Sequence, residues 1–150
     1  MIIQEMTNSE VEDMLRRGSL GRLACSKDNQ PYITPLSFAF QAGYLYSFTT
    51  VGQKVEWMRE NPQVCVLFDE IVSIHQWQSV LVAGRYEELT KSTEHMDARN
   101  TAYTLLHKRV EWWEPAYVRT LLGDKVRQME PVYFRVPVLK ASGHKAIRDE

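Results

Sequence analysis

The sequence predicts a mainly β (α+β) protein, a small antiparallel barrel of six strands decorated by peripheral helices. Two observations carry this. Strand-like apolar runs recur at short spacing from Leu20 onward, separated by turn residues such as Asp28-Asn29 and Ala42-Gly43. Stretches with helical spacing fall between and before those runs, opened by capping signatures such as Thr7-Asn8-Ser9-Glu10.

Taken in order, Thr7 and Glu10 form a capping box, with Met6 and Val11 spaced for a hydrophobic staple. The helix they open runs through Met14 and Leu15 and stops at Gly18. Leu20 to Ser26 reads as a strand, and Asp28-Asn29-Gln30-Pro31 as its turn. Tyr32 to Phe40 is the next strand, and Pro35 within it demands an edge or a bulge. After Gln41-Ala42-Gly43 comes the strand from Tyr44, with Tyr44, Tyr46 and Phe48 in alternation. Thr50 and Gln53 have the capping-box spacing, so a short helix is expected to start at Thr50. Val51, Val55, Trp57 and Met58 lie near one face, and Asn61-Pro62 ends it. Val64 to Phe68 follows as a strand with Asp69-Glu70 as a solvated turn. Ser79 to Leu89 reads as one long strand bent at Gly84. The longest helix is expected over Ser92 to Arg109, with Met96, Tyr103, Leu106 and Val110 at broadly helical spacing and Glu94 and His95 toward solvent. Pro115 to Leu122 suggests further helical turns ended by Gly123. Val132 to Leu139 is the last strand, and the polar tail from Ser142 is expected to fray.

The 150 residues fit one domain, 1–150, with a single core. With 18 basic against 19 acidic residues the net charge is -1, which gives no electrostatic case for nucleic acid or an anionic membrane. No apolar run has membrane-span length, and the start lacks the pattern of a signal peptide. Cys25 and Cys65 sit in apolar runs without a Cys-x-x-Cys pair, which reads as free thiols in a reducing compartment; a cytoplasmic protein is expected. His75, His95, His107 and His144 are scattered without metal-ligand spacing, so no metal site is expected. Neither Gly-x-Ser-x-Gly nor a dinucleotide or Walker glycine motif occurs. Trp112 and Trp113 are adjacent, so either one meets a partner or ligand or both cover the barrel ends.

The stretch richest in chemistry is Tyr44 to Pro62, a strand turning straight into a helix. A helix start carries unpaired N–H groups and the positive end of the dipole. Gly52 lets a ligand approach that backbone, Thr49 and Thr50 add hydroxyls, and Lys54 adds a charge. These make a phosphate cradle; they also fit an ordinary capped helix with a surface lysine. A phosphate site without an acid–base set points to a bound cofactor as the agent of chemistry.

The chain resembles the pyridoxamine 5'-phosphate oxidase-like flavin-binding split barrels, in particular the nitroimidazole-resistance-type branch. The resemblance rests on Gly21–Ala24, Pro31–Phe38, Leu45–Lys54, Asn61–Val64, Ser79-Val80 through Gly84-Arg85, and Val132–Val136. It implies a six-stranded split β-barrel and a homodimer with FMN at the subunit interface. The phosphate site maps onto Thr49, Thr50, Gln53 and Lys54. The strand along the flavin ring maps onto Pro35, Leu36, Ser37 and Phe38, used through backbone groups. Phe48 is expected beside the ring, and Ser79 approaching it from the neighbouring strand. That branch often carries a histidine shortly before the lysine, and here Tyr44 to Lys54 has none, which counts against nitroimidazole reduction. The arginine-rich grip of pyridoxal-type substrates is missing too. The implied function is an FMN-dependent oxidoreductase with an unknown small-molecule acceptor and no side chain assigned as catalytic. A non-enzymatic flavin carrier or sensor, and a haem-handling protein on the same scaffold, are the alternatives.

Overall fold

A computed structural model of the chain describes residues 1–109, 119–122, 125–128 and 131–148. The expectations for Val110, Trp112, Trp113 and Gly123 fall outside the described residues.

The chain runs β1 (Ile2–Glu5), α1 (Asn8–Arg17), β2 (Leu20–Lys27), β3 (Gln30–Gln41), β4 (Tyr44–Thr50), α2 (Gln53–Glu60), β5 (Gln63–Ser73), β6 (Gln76–Arg85), β7 (Glu87–Leu89), α3 (Met96–Arg109), β8 (Arg119–Leu122), β9 (Lys125–Gln128) and β10 (Pro131–Ile147). Six strands close a ring in the order β10-β4-β3-β2-β5-β6, and β6 returns to β10. All pairs in the ring are antiparallel. This is the expected split barrel. Its seam is β10, whose first half pairs with β4 through Pro137 and whose second half pairs with β6 from Val138, with a register shift between Val138 and Lys140. Splitting one long strand between two partners lets the sheet fold back on itself.

The local signals explain the turns. Asp28 and Asn29 have φ of 48° and 65°, and Ala42 and Gly43 have 51° and 82°, so both hairpins turn in two residues of positive φ. That geometry matches the twist of the flanking strands. At α1 the Thr7 hydroxyl accepts the Glu10 N–H at 3.2 Å and Glu10 accepts the Thr7 N–H at 3.0 Å. The helix ends at Gly18, whose φ of -63° needs no glycine. What needs glycine there is space, since a Cβ would lie 3.0 Å from the Phe68 ring.

Two cores result. Inside the ring, Leu23, Phe38, Leu45, Val66, Phe68, Val82, Phe134 and Val136 pack with Val11, Met14 and Leu15 of α1 and Met58 of α2. Outside it, Ala102 and Leu106 of α3 cover Ala39, Tyr46, Phe48, Leu89 and Tyr133.

Several expectations require correction. Thr50 does not cap α2; it ends β4, paired with Pro131, and the cap position is Gly52 without any side-chain bond. The ladder to β10 holds Thr50 in the sheet and leaves the cap to the next residues. Asp69 and Glu70 lie within β5, not in a turn, because Arg22 pairs with Asp69 at 3.0 Å and Gln78 bonds Glu70 at 2.6 Å across the ladder. The long strand from Ser79 is two strands broken at Tyr86. Gly84 meets β10 so closely that a Cβ would sit 2.4 Å from the Pro137 carbonyl oxygen. The predicted long helix begins as a 3-10 turn at Thr93–His95, and α3 proper buries alanines and leucines while Met96 and Tyr103 remain exposed. His95 is half-buried, its Nδ1 3.0 Å from the Thr90 hydroxyl. Arg119–Leu122 is a strand paired with Lys125–Gln128, where helical turns were expected. The tail does not fray. Ser142 to Ala146 pairs with β6, and β1, which the sequence did not announce, pairs with His144 to Ile147.

Candidate functional site

β3 and β4 part beside several of the residues marked by the sequence. The two strands pair from Gln41↔Tyr44 back to Phe38↔Ser47 and no further. The Ser47 hydroxyl donates to the Ser37 carbonyl at 2.6 Å and pins the last point of contact. Beyond it, Pro35, Leu36 and Ser37 continue along β2 alone, while Phe48, Thr49 and Thr50 continue along β10. The gap between the diverging strands is bordered by the β4–α2 corner, Thr49 to Lys54.

The open side of β3 is a row of backbone groups. Phe38 N–H donates to the Ser19 carbonyl at 2.6 Å, toward the β2 side. Alternation along the strand then turns the N–H of Ile33 and Ser37, and the carbonyls of Ile33 and Pro35, to the side that β4 has left. Pro35 has no N–H to lose on that side, which is why a proline is tolerated in mid-strand. The side chains here are of little use to a ligand. Leu36 and Phe38 point into the barrel core, Ser37 and Thr49 are buried, and Pro35 is exposed. Phe48 is fully buried in the core under α3, so its ring faces that core and not the gap.

The corner supplies the electrostatics. Gly52 caps α2 with φ -177° and ψ -164° and no side-chain bond, so the first N–H groups of the helix, at Gln53, Lys54 and Val55, have no partner within the helix. Among the described residues, a Cβ on Gly52 would meet nothing within 4 Å. Lys54 is half-buried, and among the described residues no carboxylate pairs with it. Burial holds its ammonium below the usual 10.5, with the nearby Cys25 thiol acting weakly in the opposite sense. Cys25 is pushed up by burial, against the pull of the Lys54 charge. A buried cation without a counter-ion is costly, and an anion arriving at an uncapped helix start relieves that cost. Behind Lys54, Trp57 meets Tyr32 edge to face at 6.1 Å and packs the helix onto the barrel.

Thr49, Thr50, Gln53 and Lys54 therefore follow one another at the β4–α2 corner, and the Pro35–Ser37 backbone lies on β3 beyond its last pair with β4. Ser79 does not join them. Its strand β6 neighbours β5 and β10, not β3. Ser79 faces outward opposite Asp69 and His144, and β2 and β5 intervene, a separation of roughly 14 Å at usual strand spacing. The sequence reading missed the contribution of Cys25 and the bare cap at Gly52. The signal for the latter was present: a glycine directly before a helical run has no side chain to cap it.

The family model described as pyridoxamine 5'-phosphate oxidase matches residues 7–145, and the chain belongs to that family. It is 36% identical over 150 residues to an uncharacterized protein of Rhizobium meliloti, covering 100% of this chain and 99% of that one. Among solved structures it is similar to a protein of Mesorhizobium loti named as FAD-binding, with 39% identity, a TM-score of 0.80, and coverage of 97% and 99% of the two chains. A candidate 5-nitroimidazole antibiotic resistance protein of Bacteroides thetaiotaomicron shares the fold at 16% identity and a TM-score of 0.68, covering 97% and 89%. No helix among the described residues is long and apolar enough to cross a membrane.

Proposed function

We propose that the protein is a homodimeric flavoprotein that holds a flavin nucleotide, FMN or the same half of FAD, and serves as an oxidoreductase toward a small-molecule acceptor. The observation that carries this is the half-buried Lys54 without a carboxylate partner among the described residues, placed at a helix start that no side chain caps. When bound, the flavin supplies the hydride or electron chemistry. Lys54 and the N–H groups of Gln53 to Val55 hold the phosphate. The Ile33–Ser37 edge offers alternating donors and acceptors suited to the polar rim of a planar ring. The bulk of Leu36 and Phe38 behind that edge keeps it rigid.

The dimer is supported by the outer wall of the barrel. Register aligns Ile33, Ala24, Cys65 and Ala83 in one outward row, and Pro35, Arg22, Leu67 and Leu81 in the next, where Arg22 pairs with Asp69. An antiparallel sheet with one wetted face alternates apolar and polar residues, whereas strands apolar on both faces are strands covered on both. A second copy on this wall also gives Ser79 a route to a flavin, that of the other protomer. The relative named as FAD-binding supports a flavin and leaves FMN and FAD to be compared directly.

The test is titration of the purified protein with riboflavin, FMN and FAD, followed by flavin fluorescence. Phosphate recognition requires FMN or FAD to bind at least about tenfold more tightly than riboflavin. Equal affinities for FMN and riboflavin would remove the phosphate role of the corner.

A further inference from the structure

The second half of β10 carries a histidine to a fixed place on the barrel wall. Register sets Asp69 of β5 opposite Ser79 of β6, Ser79 opposite His144 of β10, and His144 opposite Glu5 of β1. Directly opposite residues share a face, with Cβ atoms about 4.5–5.5 Å apart. Val80 and Gly143, the next residues along β6 and β10, are buried inward, so the Ser79–His144 row faces out. Strands from distant parts of the chain thus line up an acid, a hydroxyl, an imidazole and a second acid.

Three members of that row are not spent on holding the fold. Asp69 is paired with Arg22 at 3.0 Å. Among the described residues, the Ser79 hydroxyl, the His144 ring and the Glu5 carboxylate have neither a hydrogen bond nor an ion pair. On the other face of the sheet Lys145 is held by Glu10, so Glu5 is the carboxylate that remains for His144. A carboxylate on one side can hold one ring nitrogen and leave the other to exchange a proton, which is the arrangement of an oriented acid–base histidine. Apolar side chains flank the row. Ile71, Trp77, Ala146 and Ile3 lie opposite one another on one side of it, and Leu67 and Leu81 on the other. Ile71, Ile3 and Leu81 are exposed. Apolar surface with a few placed polar groups suits a flat apolar compound oriented through its oxygen atoms.

We infer that His144 is the proton donor to the electron acceptor, oriented by Glu5, and that the acceptor is an apolar quinone. This rests on the flavin site and homodimer proposed above, which bring Ser79, the direct neighbour of His144, toward the flavin of the other protomer. Reducing a quinone to a hydroquinone takes two electrons and two protons. A hydride from the reduced flavin brings both electrons and one proton, leaving one quinone oxygen as an anion. The N–H bond of the His144 imidazolium breaks, an O–H bond forms at that oxygen, and the hydroquinone leaves. The neutral imidazole regains its proton from water, which the exposed His144 and Glu5 both meet. Glu5 is a positioning residue, and Ser79 offers a hydrogen bond beside the reacting oxygen.

The test uses the full chain loaded with FMN, reduced anaerobically by dithionite and mixed with menadione between pH 5 and 9. Circular dichroism and FMN titration accompany the variants His144→Gln and Glu5→Gln. The wild-type rate is expected to fall as pH rises between about 5 and 8, where histidines lose their charge. In folded His144→Gln, with FMN still bound, the rate drops by about 100-fold or more and that limb is gone. Glu5→Gln falls between the two and keeps the limb. A second measurement needs no variant and no turnover: diethyl pyrocarbonate modifies His144 in the flavin-free protein, and FMN slows that modification. Loaded His144→Gln with wild-type rates and an unchanged pH limb would overturn the donor role and leave the flavin site standing. Equal modification of His144 with and without FMN would overturn it too. A wild type that binds no flavin would overturn the flavin site, and this role with it.

Discussion

Replacing Lys54 by Met is the most informative perturbation. The exchange keeps an apolar stem of similar length, so packing at the β4–α2 corner is preserved while the charge goes. Burial depresses the Lys54 ammonium from 10.5, which means that folding disfavours its charged form. The sign of the pH effect comes from this. Between the folded value and 10.5 the unfolded chain binds more protons, so the flavin-free protein gains stability as pH rises through that window. Lys54→Met removes this rise and leaves stability at neutral pH equal to the wild type or higher. Flavin binding moves the other way. A hydrogen bond to a charged group is worth about 1.5–3 kcal/mol, so FMN affinity is expected to fall by about 10- to 150-fold, with riboflavin affinity unchanged. In the wild type, FMN binding weakens as pH approaches 10.5 from below; in the variant that dependence is gone. The assay is fluorescence titration with FMN and riboflavin across alkaline pH, with thermal melts of both proteins. Equal FMN dissociation constants in a folded Lys54→Met protein would refute the reasoning, because the phosphate would then be held elsewhere.

Three further outcomes test the fold around the site. Glu88 accepts both Arg59 nitrogens, at 2.8 and 3.1 Å, and the buried Tyr86 hydroxyl at 2.7 Å, tying α2 to β7. The Arg59 hydrogen bonds hold the Glu88 carboxyl below the usual 4.5, so wild-type stability is lost as pH falls below that value, and Glu88→Gln should flatten this acid limb in melts taken over acidic pH. Gly84→Ala places a methyl 2.4 Å from the Pro137 oxygen and 2.5 Å from Val136, and neither neighbour is a flexible side-chain end. A loss of about 3 kcal/mol and a Tm lower by roughly 6–12 °C are expected by calorimetry, and an unchanged Tm would argue against the tight β6–β10 crossing. Thr7→Ala removes one half of the α1 capping box and should cost about 1 kcal/mol, seen as a melt lower by roughly 2–4 °C.

Local chemistry wrote much of this molecule in plain sight. Thr7 and Glu10, the Asp28-Asn29 and Ala42-Gly43 turns, and the alternation along Tyr44 to Phe48 each concern residues a few positions apart, so their geometry follows from backbone sterics and short-range hydrogen bonds. The β4–α2 corner belongs to the same class, because strand, glycine and helix start are contiguous. Competition between partners distant in sequence decided the rest. Thr50 had the spacing of a cap, but pairing with Pro131, 81 positions away, kept it in the sheet. The polar tail looked loose, but Ser142 to Ala146 pairs with β6 and His144 to Ile147 with β1. Phe48 alternates as a site residue would, yet α3 covers it. Ser79 stands in a recognisable stretch, and only the ring order shows that it sits across the wall from β3. The sequence by itself determined the α1 cap, the two tight hairpin turns and the alternation of the strands from Leu20 to Thr50. The tertiary structure decided where β3 parts from β4 and which strands β10 joins, because both depend on the order in which six strands share their hydrogen bonds.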